Sequence, residues 1–90
     1  MNRQFEPDAA ANLLRLLQDP SRRTLARRVA SVVNRVTTDP RDPGFRYRDH
    51  MAADRTRYRS KSVYGDGEWI VTWRGDEERH FFVIGPTTSL

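Results

Sequence analysis

The sequence predicts an α+β domain in which a two-helix hairpin packs on an antiparallel sheet of three or four strands. Apolar residues recur with helical spacing in the first half of the chain and alternate with polar residues in the second half. An Asp-Gly pair at 66–67 lies between two alternating segments, which is a strong signal for a β-hairpin. Ninety residues allow one modest core, so we expect a single domain over 1–90.

The first half predicts a short strand at 2–5 and two amphipathic helices at 8–18 and 20–38. Asp19 and Pro20 separate the helices as an N-cap and a first helical residue, because proline lacks an N–H that would have no partner there. A link this short makes the helices a hairpin whose apolar stripes need a common partner. The stripes consist of Ala10, Leu13, Leu14 and Leu17 in the first helix and Leu25, Val29, Val32, Val33 and Val36 in the second.

The second half predicts a meander of strands at 56–64, 68–74 and 78–85 after a long irregular connection at 39–55. A two-residue turn at Asp66 and Gly67 would pair Tyr64 with Trp69 and place the tryptophans on the face under the helices. The same register pairs Ser62 with Val71 and Ser60 with Trp73. Two registers remain open for the last strand, one burying His80, Phe82 and Ile84 and the other burying Phe81 and Val83.

Positive charge is concentrated in the middle of the chain. Residues 21–61 contain twelve Arg and Lys against four Asp, a net charge of +8, whereas the whole chain carries +4. Arginine outnumbers lysine fifteen to one, which suits bidentate phosphate contacts and base stacking. The segment RTRYRSK (55–61) alternates cations, and a strand would place them in one row, the basic row: Arg55, Arg57, Arg59 and Lys61.

This pattern favours contact with a nucleic acid, and the alternative is a solvated sheet face. In GFRYRDH (44–50), Arg46 and Arg48 alternate with Phe45 and Tyr47. Such interleaving can stack an unpaired base, or the rings can anchor the loop in the core. The sequence has no cysteine, no membrane-spanning apolar run and no ligand partners near His50 or His80. We therefore expect a cytoplasmic protein without metal, cofactor or membrane contact.

The chain resembles the RelE/ParE family of toxins from type II toxin–antitoxin systems. The resemblance lies in FEPDAAANLLRLL for the first strand and helix, VVNRVTTDPRDPG for the end of the second helix, and RYRSKSVYGDGEWIVTWRGDEERHFFVIG for the closing meander. It implies a RelE/ParE-like domain, a cognate antitoxin as partner, and one of two activities. RelE-type members cleave mRNA in the ribosomal A site without a metal, and ParE-type members poison DNA gyrase.

The resemblance also implies site residues. The basic pair before the hairpin turn matches Arg59 and Lys61. Arg74 or Arg79 could stand in for a further cation, and Tyr47, Tyr58 or His80 for a proton-transfer group; of these, Arg74 and His80 are the predicted catalytic residues. Positions of the family's arginine after the turn fall on Trp69 or Ile70, and the last strand is followed by GPTTSL instead of an arginine and a tyrosine. The predicted RNA contacts are Arg46, Tyr47, Arg48, Arg55 and Arg57.

The leading hypothesis is a RelE-like toxin that inhibits translation by cutting ribosome-bound mRNA. Three alternatives remain open: a ParE-like gyrase inhibitor, a noncatalytic RNA- or ribosome-binding module on the same fold, and a relative without toxicity.

Overall fold

The computed structural model describes residues 3–38, 44–75 and 79–87. In chain order they form β1 (Arg3–Phe5), α1 (Pro7–Gln18), a 3-10 turn (Pro20–Arg22), α2 (Arg23–Thr38), β2 (Arg48–Met51), β3 (Arg57–Tyr64), β4 (Glu68–Arg74) and β5 (Arg79–Pro86). The strands form one sheet in the order β1-β5-β4-β3-β2, with β1 parallel to β5 and the other neighbours antiparallel. The predicted α+β class is confirmed, with five strands rather than three or four.

The junction between the helices follows from the Asp19-Pro20 pair. Asp19 ends α1, and its carboxylate accepts hydrogen bonds from the N–H and the hydroxyl of Ser21 at 2.9 and 2.6 Å. These two hydrogen bonds, above all the one from the hydroxyl, hold the pKa of Asp19 below its usual value. Asp19 is therefore an N-cap as predicted, and it caps a short 3-10 turn that leads into α2.

The two helices bury their apolar residues to different extents. All five apolar positions predicted for α2 are buried. In α1 the buried residues are Ala9 and Leu16, whereas Leu14 and Leu17 keep more than half of their surface exposed. The predicted stripe of α1 is wrong at these leucines and at Ala10, which is also exposed. The reason is that α1 packs mainly on β5, beside the edge strand β1, with Ala9 and Leu16 turned to the core.

The β3–β4 hairpin has a three-residue connection, so the predicted two-residue turn is wrong. Tyr64 pairs with Glu68, Val63 with Trp69 and, further along, Arg59 with Trp73. A shift of one residue moves every side chain of a strand to the other face. Trp69 and Trp73 remain core residues as predicted, but they share their face with Val63 rather than with Ser60, Ser62 and Tyr64.

Close approach of α2 to the hairpin explains the glycine at position 65. A Cβ added to Gly65 would lie 2.9 Å from the Cα of Leu25, at the start of α2. Because that neighbour is backbone, we expect Gly65→Ala to lower the free energy of unfolding by about 1–3 kcal/mol, the range for overpacked sites. Urea denaturation measures this loss. Asp66→Ala in the same exposed loop is the matched control, with an expected change within about 0.5 kcal/mol, and equal stability of the two variants would contradict the packing argument.

An irregularity in β5 combines parts of both predicted registers. Thr72 pairs with Val83 and Trp73 with Phe81, so Phe82 is an extra residue in the ladder. Phe81 and Ile84 are consequently both fully buried. An extra residue of this kind bends a strand and redirects side chains, and here it leaves Phe82 half-buried outside the core.

The long connection predicted as irregular contains β2. This strand pairs with Arg57–Ser60 of β3, and all four of its residues are exposed. Its sequence RDHM has no apolar alternation, so period-two patterning could not reveal it.

Candidate nucleic-acid interface

The sheet has one face packed against the helices and one open face. The core takes its sheet residues from a single face, where Val71, Trp73 and Phe81 are completely buried. Because successive side chains of a strand alternate, Arg74 of β4 and His80 of β5 point to the opposite side. The open face is therefore the surface on which a ligand can contact the sheet directly.

Four rings cross the open face in a continuous series that we call the ring row: His50, Tyr58, Phe82 and His80. The ring centres of His50 and Tyr58 are 6.1 Å apart with nearly parallel planes, and Tyr58 meets Phe82 edge-on at 5.1 Å. Phe82 stacks on His80 at 4.3 Å, and the guanidinium carbon of Arg74 lies 4.8 Å from the centre of the Phe82 ring. The ring row thus joins β2, β3 and β5 and carries a cation at its centre.

A carboxylate holds one end of the ring row. The Nε2 atom of His80 lies 2.9 Å from Oε1 of Glu6. Glu6 is fixed there because its backbone N–H donates to the carbonyl of Phe81 at 2.9 Å. An Nε2–H directed at a carboxylate leaves Nδ1 as the nitrogen that can accept a proton. Glu6 was not identified from the sequence, since only the parallel pairing of β1 with β5 brings it to His80.

A tight turn between β2 and β3 borders the other end of the ring row. The N–H of Arg55 donates to the carbonyl of Ala52 at 2.9 Å, and Arg55 has a left-handed φ of 68°. The backbone N–H and the hydroxyl of Thr56 hold the pKa of Asp54 below its usual value, with a smaller contribution from the positive charge of Arg74. Arg55 therefore belongs to a turn, and the predicted basic row does not continue through it.

The rest of the basic row, Arg57, Arg59 and Lys61, lies on the face of the sheet that contacts the core. Arg59 Nε is 3.2 Å from Oδ1 of Asp49, and its guanidinium carbon is 5.5 Å from the ring centre of Tyr47. The ammonium of Lys61 donates to the carbonyl of Arg46 at 2.7 Å and lies 5.3 Å from the Phe45 ring centre. By strand alternation Arg57 shares this face and is exposed.

The aromatic residues of segment 44–50 anchor the chain to the core. The ring centres of Phe45 and Tyr47 are 6.1 and 5.7 Å from that of Trp73. The sequence left two interpretations of these rings open, base stacking and anchoring of the loop in the core. The structure agrees with anchoring in the core. Arg46 and Arg48, which alternate with them, are exposed, and Arg48 pairs with Ser60 at the edge of the sheet.

The structure therefore separates the four predicted catalytic residues into two pairs. Arg74 and His80 come together at Phe82 on the open face. Arg59 and Lys61 lie across the sheet from them, each held by a neighbour of its own. The open face adds Tyr58 and His50 to the first pair, and Phe82 joins them only because of the irregularity in β5.

This arrangement has the groups that metal-free cleavage of RNA requires. A ring platform can stack an unpaired base, an imidazole can transfer protons near neutral pH, and a guanidinium can stabilise a developing phosphorane charge. Among the described residues, no cluster of three or more His, Asp or Glu is arranged to hold a metal ion. The described helices include none with the length and apolar character needed to cross a bilayer.

Comparison of this chain with protein-family profiles, with curated proteins and with solved structures found no match.

Proposed function

We propose that the protein is a RelE-like toxin that inhibits translation by cutting ribosome-bound mRNA on the open face of its sheet. The observation that carries this proposal is the ring row, with Arg74 on Phe82 and Glu6 on His80. In this proposal a cognate antitoxin neutralises the protein, and both act in the cytoplasm. The concentration of positive charge between residues 21 and 61 supports an anionic target.

Stacking accounts for the recognition of single-stranded RNA. Tyr58 and Phe82 present perpendicular rings 5.1 Å apart at the centre of the open face. One unpaired base stacked on an aromatic side chain contributes about 1–3 kcal/mol of binding free energy and needs no particular sequence. Arg74 beside these rings supplies a cation for the adjacent phosphate.

Proton transfer accounts for cleavage. His80, oriented by Glu6, removes the proton from the ribose 2′-hydroxyl, whose oxygen attacks the neighbouring phosphorus. Arg74 stabilises the extra negative charge. The 5′-oxygen leaves with a proton from a water molecule, because His50 lies three strand spacings from His80, roughly 14 Å, and does not reach the same phosphorus. A 2′,3′-cyclic phosphate and a 5′-hydroxyl are the products, and no metal ion takes part.

A noncatalytic RNA- or ribosome-binding module is the second candidate. The separation of Arg59 and Lys61 from Arg74 and His80 favours it, because these four groups do not converge on one reacting phosphate. This candidate keeps the stacking surface and the positive charge. It differs from the first in that binding occurs without cleavage.

Induced expression of the chain in a bacterial host tests the proposal. We expect growth to stop, with methionine incorporation falling before thymidine incorporation and with new mRNA ends mapped by primer extension inside translated regions. Tyr58→Leu should relieve the arrest, because leucine keeps apolar volume but removes the stacking ring.

The matched control is Leu14→Ala, which truncates an exposed side chain on the far side of α1 and should keep full toxicity. Arrested translation without new mRNA ends would select the binding module. Replication that stops first, with accumulation of gyrase–DNA adducts, would select a gyrase inhibitor.

A further inference from the structure

Half of strand β3 lacks a neighbour along one edge. β2 begins at Arg48, which pairs with Ser60, and continues along β3 only as far as Arg57. Within the described part of the chain, Lys61–Tyr64 therefore has a strand neighbour on its β4 side only. Two shallow cavities of about 240 and 320 Å³ lie along this half-edge and share Lys61, Ser62 and Tyr64. We call the two cavities together the edge cleft.

Four cations line the edge cleft. Arg46 and Arg48 come from the segment that enters β2, Lys61 comes from β3, and Arg28 comes from α2. No carboxylate is among the described residues that line the two cavities. Ser60 and Ser62 also line the first cavity and add hydroxyl groups that can donate hydrogen bonds. Cations and hydroxyls with no carboxylate in the described lining form a surface for an anion.

Two of these cations are already engaged and two are available. Lys61 donates to the carbonyl of Arg46, and Arg28 donates to the carbonyl of Tyr64. The guanidinium groups of Arg46 and Arg48 are exposed and donate to no other group in the part of the chain that the structure describes. Each can therefore form a bidentate contact with a phosphate.

Backbone geometry favours a polyanion over an added peptide strand. The Tyr64 carbonyl points outward and is occupied by Arg28. Because outward groups alternate along an antiparallel strand, Ser62 is the residue of this half-edge that presents both its N–H and its C=O. Strand addition depends on a run of main-chain hydrogen bonds, and one residue supplies too short a run.

We propose that the edge cleft binds the phosphodiester backbone of the RNA strand whose bases stack on the ring row. This inference rests on the proposed RNA contact at the open face. Tyr58 and Ser62 are four residues apart on β3, or roughly 13 Å, and Arg48 lies opposite Ser60 between them. One extended strand of a few nucleotides therefore reaches both places.

Titration of ¹⁵N-labelled protein with uridine oligonucleotides tests the inference. A trinucleotide should shift the amide signals around Tyr58 and Phe82. A nonanucleotide should shift those signals and also the signals of Lys61 and Ser62. For the nonanucleotide, Arg46→Gln/Arg48→Gln should lower the affinity at least tenfold and flatten the slope of log affinity against log salt by about 1.4, at about 0.7 for each lost phosphate contact.

The control variant is Arg23→Gln/Arg27→Gln, which removes the same charge from the exposed side of α2 and should leave the slope within about 0.5 of wild type. Trinucleotide binding without additional affinity for the nonanucleotide would overturn the proposed RNA contact at the edge cleft and leave the proposed contact at the open face in place. Absence of binding by either oligonucleotide would overturn both. If a nonaglutamate peptide displaces the nonanucleotide and shifts Ser62 more strongly, the edge cleft is a peptide-docking site.

Discussion

Replacement of Arg79 by methionine is expected to lower the free energy of unfolding by about 3 kcal/mol. The side chain of Arg79 is buried, and its Nε and Nη1 donate to the carbonyls of Val36 and Gly75 at 3.2 and 2.7 Å. Val36 lies in the last turn of α2, where carbonyls lack partners within the helix. A hydrogen bond to a charged group contributes about 1.5–3 kcal/mol, and buried carbonyls left without a donor add to the loss.

Methionine retains most of the apolar volume, so the loss of stability results from removal of the guanidinium rather than from a cavity. Urea denaturation should show a lower midpoint with an unchanged m-value. The free energy of unfolding of Arg79→Lys is expected to lie between those of Arg79→Met and the wild type, because one ammonium reaches a single carbonyl. Arg27→Met, on the exposed side of α2, is the control with an expected change within about 0.5 kcal/mol. Stability of Arg79→Met equal to that of wild type would show that the guanidinium does not hold α2 to β5.

The sequence was sufficient for the elements whose signals are local. Helical spacing and the Asp19-Pro20 pair predicted both helices and the junction between them, since capping and apolar periodicity involve only neighbouring residues. The three predicted strands of the meander agree with β3, β4 and β5 to within one residue at each end. The predicted short strand at 2–5 corresponds to β1, and residues 1–2 lie outside the described residues.

Register depends on contacts between distant residues, and there the sequence was misleading. The Asp-Gly pair favoured a two-residue turn, but contact between Gly65 and the start of α2 accompanies a three-residue connection. That one-residue difference moved Arg59 and Lys61 from the open face to the side of the sheet beside the core. Composition alone could not settle this point, because Ser60, Ser62 and Tyr64 fit either face.

The candidate site was predicted only in part, because it too depends on contacts between residues that are distant in the sequence. Arg74 and His80 were selected as stand-ins for family residues, and the structure brings them together. Glu6 and Phe82 reach them through the parallel pairing of β1 and through the irregularity in β5, neither of which has a local sequence signal. His50 could not be assigned to a site without β2, whose exposed polar sequence resembles a loop.

In the proposed reaction, replacement of His80 by alanine is expected to lower the rate of mRNA cleavage by about 10²–10⁴, the contribution of a positioned proton-transfer group. Arg74→Gln should lower it by about 10²–10³, since it removes the cation that stabilises the transition state. Both side chains lie on the open face outside the core, so the variants should fold. Primer extension on ribosome-bound messages measures the rate, and Arg27→Gln is the charge-matched control.

Glu6→Gln separates orientation from proton transfer. Glutamine can still accept a hydrogen bond from His80 Nε2, but it lacks the charge that stabilises an imidazolium, so we expect a loss smaller than that of His80→Ala. If Glu6 acts only through His80, Glu6→Gln should have no further effect in the His80→Ala background, and this double variant distinguishes a positioning role from a structural one. In the interpretation of the sequence, the basic pair that acts in cleavage corresponds to Arg59 and Lys61. Loss of cleavage in Arg59→Gln with full cleavage in His80→Ala would support that assignment and remove the ring row from the reaction.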